Sequence, residues 1–443
     1  MMGKKGIMLL LVGTAVVLFL LATPMIIKAV PPRYLSRLPQ PIKDLGAPKQ
    51  EVAILPTVAV TADLSILLTP TATPTINLPA TNTAIPASDE YTPTPEATET
   101  LPPTFTPIPP TPTKVPIPPQ ARLEGINHKF QEWNNCGPAT LAMTLSYFDI
   151  PARQSDTATF LKPSPEDRNV SPHEMVAYVK EETELEALFR VNGDQHTIRR
   201  LLAAGFPVIL EIGIEPPGDL QWMGWYGHYM LAVAYDNAKQ QFWVYDSWLG
   251  TSEEPLENAH PDGRILSYKQ IDEFWPHFNR NYIVLFEPDR ADEVSAIIGE
   301  EIDDTVMWQN ALEEVRSETA VSPENAFHWF NLGTAYNALG QYEESAAAYD
   351  QARTIGLPWR MLWYQFGPYQ AYYEAGRYED VVVLADATLD NRPYFEESFY
   401  YRGLAQAALG ETKPARQDLQ KAVNFNPNFI PAADALASLE TGG

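Results

Sequence analysis

Residues 31–120 hold about half of the 41 prolines in this chain of 443 residues. The prolines recur in Thr-Pro units, as in LTPTATPT, YTPTPEATET and TFTPIPPTPTKVPIPP. Because proline fixes its φ angle and has no N–H to donate, a stretch this rich in it cannot build a packed core. We therefore expect a disordered, extended Pro/Thr-rich stalk over 28–120, with the folded parts of the chain after it.

An apolar segment precedes the stalk. Residues 7–27, IMLLLVGTAVVLFLLATPMII, carry no charge, and about 20 apolar residues can span a bilayer. Lys4 and Lys5 favour a short cytoplasmic N-terminus at 1–6. A cleaved signal peptide is the alternative, but the apolar run is long and TPMIIKAVPP is a poor cleavage site. The preferred interpretation is an uncleaved, single-pass transmembrane anchor in the cell membrane, with the rest of the chain extracytoplasmic.

Charge and cysteine content exclude several classes of site. The formal net charge is −25, which argues against nucleic acid as a partner because phosphates require Lys and Arg. One cysteine cannot form an internal disulfide or a multi-thiolate zinc site. We predict no metal and no cofactor. Apart from one candidate discussed below, the histidines are interpreted as surface or capping residues: His128, His173, His196, His260, His277 and His328.

Residues 121–290 have the pattern of an α+β domain. CGPATLAMTLSYF reads as a helix, SPHEMVAYVKEE begins with a capping box, and DQHTIRRLLAAG starts on Asp194 and stops on Gly205. FPVILEIGI and NYIVLF are β-rich runs. YMLAVAYD and QFWVYD flank NAKQ, which predicts a hairpin. Helices followed by a mostly antiparallel sheet are typical of the α+β class.

Cys136 is the one cysteine, and it opens the first predicted helix of this region. A helix N-terminus favours a thiolate through the macrodipole and the free N–H groups. By base rate a lone cysteine in an Ala- and Leu-rich helix is a buried small hydrophobe. A thiol kept outside the cytoplasm with no cysteine to pair with fits a functional role better.

A thiol nucleophile requires a base, and the base requires an orienting group. His228 stands at the start of one strand of the predicted hairpin and Asp246 at the end of the other. In an antiparallel pair these positions lie at the same edge of the sheet. The alternatives are a core histidine and a turn aspartate. Trp222, Trp225 and Tyr226 crowd the preceding loop, either as core aromatics or as the lining of a cleft.

Three segments carry a family resemblance: NNCGPATLAMTLSYF, GHYMLAVAYD and YDSW, followed by ILSYKQIDEFWPHF and YIVLF. Their order and spacing over about 121–288 resemble the papain-like peptidase family C-39 and its relatives. The resemblance implies a papain-like cysteine peptidase domain with Cys136 as nucleophile, His228 as general base and acid, and Asp246 as its orienting group. It also implies that Gln131 and the Cys136 backbone N–H form an oxyanion hole, although Gln131 lies five residues before the cysteine instead of the usual six.

From residue 291 to 443 the pattern is helical and periodic. WFNLGTAYNALGQYEESAAAYDQARTIGLP resembles the tetratricopeptide repeat (TPR) closely. Gly340, Gly376 and Gly410 mark equivalent turns, and IPAADALASLE reads as a capping helix. We expect an all-α TPR solenoid with a groove for a protein partner.

Three functions fit these features. The first is a membrane-anchored, extracytoplasmic cysteine peptidase that hydrolyses peptide bonds in a peptide or protein substrate. The second is a papain-like fold that has lost turnover and acts as a binding module beside the repeats. The third is thiol-dependent acyl transfer with the same Cys136, His228 and Asp246.

Overall fold

The computed structural model describes Leu55, Pro56, Leu67 and residues 117–215, 224–248 and 263–441. The predicted transmembrane helix at 7–27 and most of the predicted stalk lie outside these residues. No helix among the described residues is both long and apolar enough to cross a membrane.

One antiparallel sheet forms the base of the α+β region, residues 117–290. Its strands are β1 (Gln120–Arg122), β2 (Glu186–Arg190), β3 (Val208–Ile214), β4 (Tyr226–Asp236), β5 (Gln241–Asp246), β6 (Arg264–Ser267) and β7 (Tyr282–Phe286). The order across the sheet is β2-β7-β3-β4-β5-β6, and β1 pairs with the last three residues of β4. The predicted hairpin is therefore confirmed as β4 and β5, two neighbouring strands of a sheet that is antiparallel throughout its described pairs.

Five helices belong to this region, and two of them begin at the caps that the sequence predicts, Ser171 and Asp194. The five are α1 (Cys136–Tyr147), α2 (Gln154–Leu161), α3 (Pro172–Glu182), α4 (Gln195–Ala203) and α5 (Tyr268–Phe274), the last followed by a 3-10 turn at Trp275–Phe278. The Ser171 backbone N–H donates to the Glu174 carboxylate at 2.7 Å, which confirms the predicted capping box. Asp194 caps α4 by accepting from the backbone N–H groups of His196 and Thr197.

Helix α1 is the central helix of the α+β region. Residues 137–145 are all buried, in a core shared with β4 residues such as Leu231 and Val233. The Thr140 hydroxyl donates to the Tyr229 carbonyl of β4 at 3.3 Å. Because a helix buried on all sides must be apolar all round, its Ala-, Leu- and Met-rich sequence suits this position. This packing places Cys136, the first residue of α1, next to the first half of β4.

The repeat region, residues 291–441, is built from helices. They are α6 (Ala291–Ile298), α7 (Asp304–Val321), α8 (Ala326–Ala338), α9 (Tyr342–Ile355), α10 (Gly367–Glu374), α11 (Tyr378–Asn391), α12 (Glu396–Ala408), α13 (Thr412–Phe425) and α14 (Ile430–Thr441). Gly340, Gly376 and Gly410 lie between α8 and α9, α10 and α11, and α12 and α13, each at a φ between 72° and 83°. Glycine is the residue that adopts this left-handed conformation most readily, so the repeating turns are as the sequence predicts.

One repeat departs from the regular pattern. Helix α10 has 8 residues, whereas the equivalent helices α8 and α12 have 13 each. The five residues that would extend α10 at its N-terminus, 362–366, belong to a segment, 356–366, whose only helical part is a 3-10 turn at Met361–Trp363. This segment leaves the helix stack and packs against the α+β region, as described below.

Two leucines from the predicted stalk are buried in the repeat region. Leu55 and Leu67 are only 3% and 5% exposed and join the core of α7 to α11. The Leu67 carbonyl accepts from the Tyr336 hydroxyl at 2.7 Å and from Arg316 at 3.2 Å. Arg353 donates to the Pro56 carbonyl at 2.8 Å. At these residues the chain is packed against the repeats, which differs from the hydrated stalk expected there.

The interpretation of His277 as a surface residue is wrong. Its ring stacks on Phe327 of α8 with 3.7 Å between ring centroids, and its Nδ1 accepts from the Trp225 indole N–H at 3.1 Å. Burial lowers the pKa of His277 to about 3. His277 is therefore a neutral, half-buried residue packed between the two regions.

Candidate active site

Cys136 is the first residue of α1 and is half-buried. The backbone N–H groups of Gly137 and of Tyr229 on β4 both point to its sulfur as hydrogen-bond donors. Pro138 sits in the first turn, where the helix has no acceptor for an N–H. The thiol therefore lies where a helix N-terminus meets the strand that carries His228.

The His228 and Asp246 side chains are in direct contact. His228 Nε2 donates to Asp246 Oδ1 at 2.8 Å, and both side chains are almost completely buried. In the β4–β5 register Asp246 lies opposite Met230, two residues beyond His228. Since Nε2 is bonded to Asp246, Nδ1 is the ring nitrogen left for Cys136, whose thiol forms a hydrogen bond with the His228 side chain. The arrangement links Cys136, His228 and Asp246 in one chain of hydrogen bonds.

The Asp246 carboxylate is held by further donors. Arg264 of β6 donates to Oδ2 at 2.9 Å, and the Trp248 backbone N–H donates to Oδ1 at 2.8 Å. A buried carboxylate is stable only when its oxygens are paired in this way. These contacts fix Asp246 in the orientation that the bond to His228 requires.

The charges of the pair favour an ionised thiol. Burial works against the thiolate, but the hydrogen bond and the charge of His228 outweigh it and lower the pKa of Cys136. Burial also works against a charged imidazole, yet Asp246 and the thiol raise the pKa of His228 to about 9. The thiol and the imidazole therefore stabilise each other as a thiolate and an imidazolium, which is the reactive form of a cysteine nucleophile.

Part of the chain matches a known family. Residues 113–272 match the family model described as "Peptidase_C39 like family". The α+β region is C-39-like. The match confirms the resemblance seen in the sequence. No curated protein matches this chain.

Solved structures of both kinds share partial similarity with the chain. A putative C39-like peptidase from Bacillus anthracis is 14% identical, with 38% of this chain and 97% of that chain covered and a TM-score of 0.29. MamA from Desulfovibrio magneticus RS-1 is 17% identical, with 30% and 75% covered and a TM-score of 0.28. The first TPR of Spaghetti (RPAP3), bound to an HSP90 peptide, is 18% identical, with 27% and 92% covered and a TM-score of 0.24.

Gln131 lies beside the chain of hydrogen bonds in this C-39-like region. Its Oε1 accepts from the Ser247 hydroxyl at 3.0 Å, and its backbone N–H donates to the Ser247 carbonyl at 2.8 Å. Ser247 directly follows Asp246, so Gln131 is tied to the end of β5. With Oε1 occupied, Nε2 is the group of Gln131 that can donate to a reacting oxygen.

A small cavity lies next to the thiol. Its volume is about 10 Å³, room for roughly one water-sized group. Among the residues that line it are Cys136, Asn134, Arg168, Val170, Glu211 and Tyr364. Gln131 is not among the lining residues, whereas the buried Asn134 Nδ2 has no hydrogen-bond acceptor among the described residues. Asn134 is therefore a second candidate donor for an oxyanion.

A buried lysine and a buried glutamate flank the same site. Lys162 donates to the carbonyls of Asn134 and Asp167 at 3.2 and 2.8 Å, so it braces the loop before Cys136. Glu211 of β3 accepts from Asn281 at 2.6 Å, and burial raises its pKa to about 8. A neutral Glu211 adds no negative charge that would oppose the thiolate.

Sequence patterns do not identify Arg264, Lys162, Glu211, Asn134 or Tyr364 as parts of this site. Each comes from a different loop, helix end or strand. Only Asn134 lies in one of the segments that carry the family resemblance, and the fold brings the five together. Trp225, one of the aromatics before His228, is a core residue, stacked on Phe278 at 5.7 Å. Within the described residues no group of three or more His, Cys, Asp or Glu is arranged to hold a metal ion.

Proposed function

We propose that this protein is a cysteine peptidase that hydrolyses peptide bonds with Cys136, His228 and Asp246. The observation that carries the proposal is the bond between His228 Nε2 and Asp246 Oδ1 at 2.8 Å, with the thiol against the other side of the same imidazole. A buried, oriented imidazole beside a thiol at a helix N-terminus has the geometry that activates a cysteine.

In the first half of the reaction the Cys136 thiolate attacks the carbonyl carbon of the peptide bond. The carbonyl oxygen becomes an oxyanion, and the Cys136 backbone N–H and the Gln131 amide donate to it. The imidazolium of His228 gives its proton to the leaving amine, the C–N bond breaks, and a thioester with Cys136 remains.

In the second half a water molecule attacks the thioester. The now neutral His228 takes a proton from the water, and Asp246 stabilises the imidazolium that forms. The C–S bond breaks, the acid product leaves, and the thiolate and imidazolium are restored. Atoms and charges balance over the two halves with water as the only co-reactant.

The remaining parts of the chain would place this chemistry outside the cytoplasm. In this proposal residues 1–6 are cytoplasmic, 7–27 anchor the chain in the cell membrane, and 28–120 form a stalk. A C-39-like peptidase domain at 121–290 and a TPR domain at 291–443 follow. The TPR domain would bind a protein partner. The apolar, uncharged character of 7–27 supports the anchor.

Alkylation of the single thiol tests the catalytic part of the proposal. The full-length protein in detergent is treated with iodoacetamide from pH 5 to pH 10, and adduct formation is followed by intact mass. We expect alkylation to remain fast well below pH 8.5, the ordinary pKa of a cysteine thiol. The midpoint should move up toward that value in His228→Ala and stay unchanged in the control His196→Ala, whose side chain is exposed.

An alkylation midpoint near pH 8.5 in the wild-type protein, or a midpoint unaffected by His228→Ala, would contradict the proposal and favour a binding module. Acyl transfer is separated from hydrolysis by adding an amine to the thioester intermediate. An amide product would favour transfer, and an acid product would favour the peptidase.

A further inference from the structure

The repeat region forms one wall of the cavity beside Cys136. Tyr364 belongs to segment 356–366, which leaves the helix stack between α9 and α10, and it lines the same cavity as the thiol. The other named lining residues come from the α+β region. The cavity beside Cys136 is thus lined by residues of both the α+β region and the repeat region.

The ring of Tyr364 is held against the strand that carries His228. Gly227 precedes His228 on β4, and a Cβ atom added at Gly227 would lie 3.0 Å from Cγ of Tyr364 and 2.5 Å from Cζ of Phe278. The approach of Phe278 leaves no room for a Cβ atom at this position, and the Tyr364 ring would be in tight contact with one. Tyr364 also packs edge-on against Trp225, with 5.8 Å between the ring centroids. These contacts leave the ring little room to move away from the cavity.

Contacts on either side of Tyr364 fix its backbone. Arg360 donates to the Trp225 carbonyl at 3.0 Å and lies over the ring of Tyr226 at 3.9 Å. Gln365 donates to the carbonyl of His277 at 3.0 Å. Because Arg360, four residues before the tyrosine, and Gln365, directly after it, are both tied to the α+β region, the wall is a fixed part of the site.

Trp363, which directly precedes Tyr364, contacts another residue that lines the cavity. Arg168, which lines the cavity, lies between two indole rings, Trp133 before the thiol and Trp363 of the repeat region, with 5.1 Å to each centroid. A guanidinium between two aromatic faces is stabilised by both. Trp363 therefore positions Arg168, just as segment 356–366 positions Tyr364.

We propose that Tyr364 is a specificity-determining residue of the thiol site, supplied by the repeat region. Its ring limits the bulk of the group that can lie beside the Cys136 sulfur when a bond is attacked. Because the cavity has room for roughly one water-sized group, a larger side chain would clash with the ring. The proposal rests on the proposed thiol chemistry, and it makes the repeat region part of the peptidase site as well as a candidate partner-binding region.

Two alkylating reagents of different size test the proposal on the full-length protein. Iodoacetamide is compared with N-benzyl iodoacetamide, which has the same reactive group and an added ring. The ratio of their rate constants is measured for the wild-type protein, Tyr364→Ala and Tyr364→Phe. Tyr373→Ala, which removes a half-buried tyrosine of α10, is the control for general loosening of the repeats.

We expect Tyr364→Ala to raise the relative rate of the bulky reagent roughly tenfold, the usual effect of relieving a clash in a pocket. Tyr364→Phe, which keeps the ring, should behave as the wild-type protein does, and so should Tyr373→Ala. Tyr364→Leu should give an intermediate ratio and serves if the alanine variant does not fold. An unchanged ratio in a folded Tyr364→Ala or Tyr364→Leu protein would overturn the proposal.

The outcome is independent of the test of the proposed function. If His228→Ala leaves the pH dependence of iodoacetamide alkylation unchanged, the peptidase proposal fails. The ratio of the rate constants of the two reagents still shows whether Tyr364 limits access to the thiol. If His228→Ala changes the profile but Tyr364→Ala leaves the size ratio unchanged, only the proposed role of Tyr364 fails.

Discussion

Arg264 Nη1 lies 2.9 Å from Asp246 Oδ2, on the carboxylate oxygen that His228 does not use. The Asp246 carboxylate thus bridges the imidazole of the candidate active site and a guanidinium from the edge strand β6. Arg264 is itself mostly buried. The side chains of His228, Asp246 and Arg264 therefore form one row of charged groups inside the protein. A buried pair of this kind is destabilised strongly when one partner is removed.

We therefore expect Arg264→Met to lower stability by roughly 3 kcal/mol because it leaves Asp246 Oδ2 buried without its cation. Thermal and urea unfolding of the full-length protein measure this loss. Arg264→Lys, which keeps the charge, should lose less. Stability equal to the wild type in Arg264→Met would show that the carboxylate does not depend on Arg264.

A second prediction concerns pH. Burial raises the pKa of Glu211 to about 8, whereas an unfolded glutamate titrates near 4.3. A raised carboxyl pKa means that the folded state binds the proton more tightly than the unfolded state does. Glu211 therefore does not lower the free energy of unfolding below pH 4, and it lowers it increasingly as the pH rises toward 8. At pH 9 this reduction is on the order of 5 kcal/mol.

Glu211→Gln removes the titration and keeps an oxygen for Asn281. We expect its unfolding free energy to match that of the wild type below pH 4, to exceed it increasingly up to about pH 8, and to exceed it by a constant amount above that. Urea unfolding at a series of pH values measures the difference. A constant difference across this range would mean that Glu211 is not held protonated.

The oxyanion donors can be tested without a natural substrate. Acylation of Cys136 by p-nitrophenyl acetate passes through an oxyanion, whereas alkylation by iodoacetamide does not. We expect Gln131→Ala to slow acylation about 100-fold, the usual cost of losing one donor, and to leave alkylation nearly unchanged. The rates are followed by nitrophenolate release and by intact mass.

Asn134→Ala is the matched variant for that experiment, because Asn134 lines the cavity and Gln131 does not. A selective loss of acylation in Asn134→Ala with none in Gln131→Ala would transfer the role of donor to Asn134.

The fourth prediction concerns Leu67. Its side chain is 5% exposed, and its carbonyl accepts from Tyr336 and Arg316. We expect Leu67→Ala to destabilise the repeat region by about 2–5 kcal/mol, the usual cost of truncating a buried leucine. Val321→Ala is the control, since Val321 is 80% exposed. Equal melting temperatures for Leu67→Ala and the wild type would show that this packing adds no stability.

Local patterns predict the elements of this fold well. The capping box at Ser171, the Asp194 cap and the β4–β5 hairpin each follow from a few adjacent residues. The hairpin also brings His228 and Asp246 to one edge of the sheet. The glycines that recur in the repeats mark the turns between helices, because these turns require a positive φ, which few residues other than glycine adopt.

The sequence shows where one region ends and the next begins, but not the contacts between them. Residues 356–366 lie where the repeat period predicts the start of a helix, yet they form the wall at Tyr364 instead. His277 is polar and follows a proline, which favours the surface, but Phe327 and Trp225 enclose its ring. These outcomes depend on contacts between residues about 50 or more positions apart, and no local pattern records them.

The shared boundary has an evolutionary consequence. Exchange of the repeats for those of another protein would remove Tyr364, Arg360 and Trp363 together. The exchange would also expose Gly227, Trp225 and His277, which are shaped to receive them. Recombination at a linker near residue 290 would therefore yield a damaged chimaera. Segment 356–366 and the start of β4 should change in step among descendants of this gene.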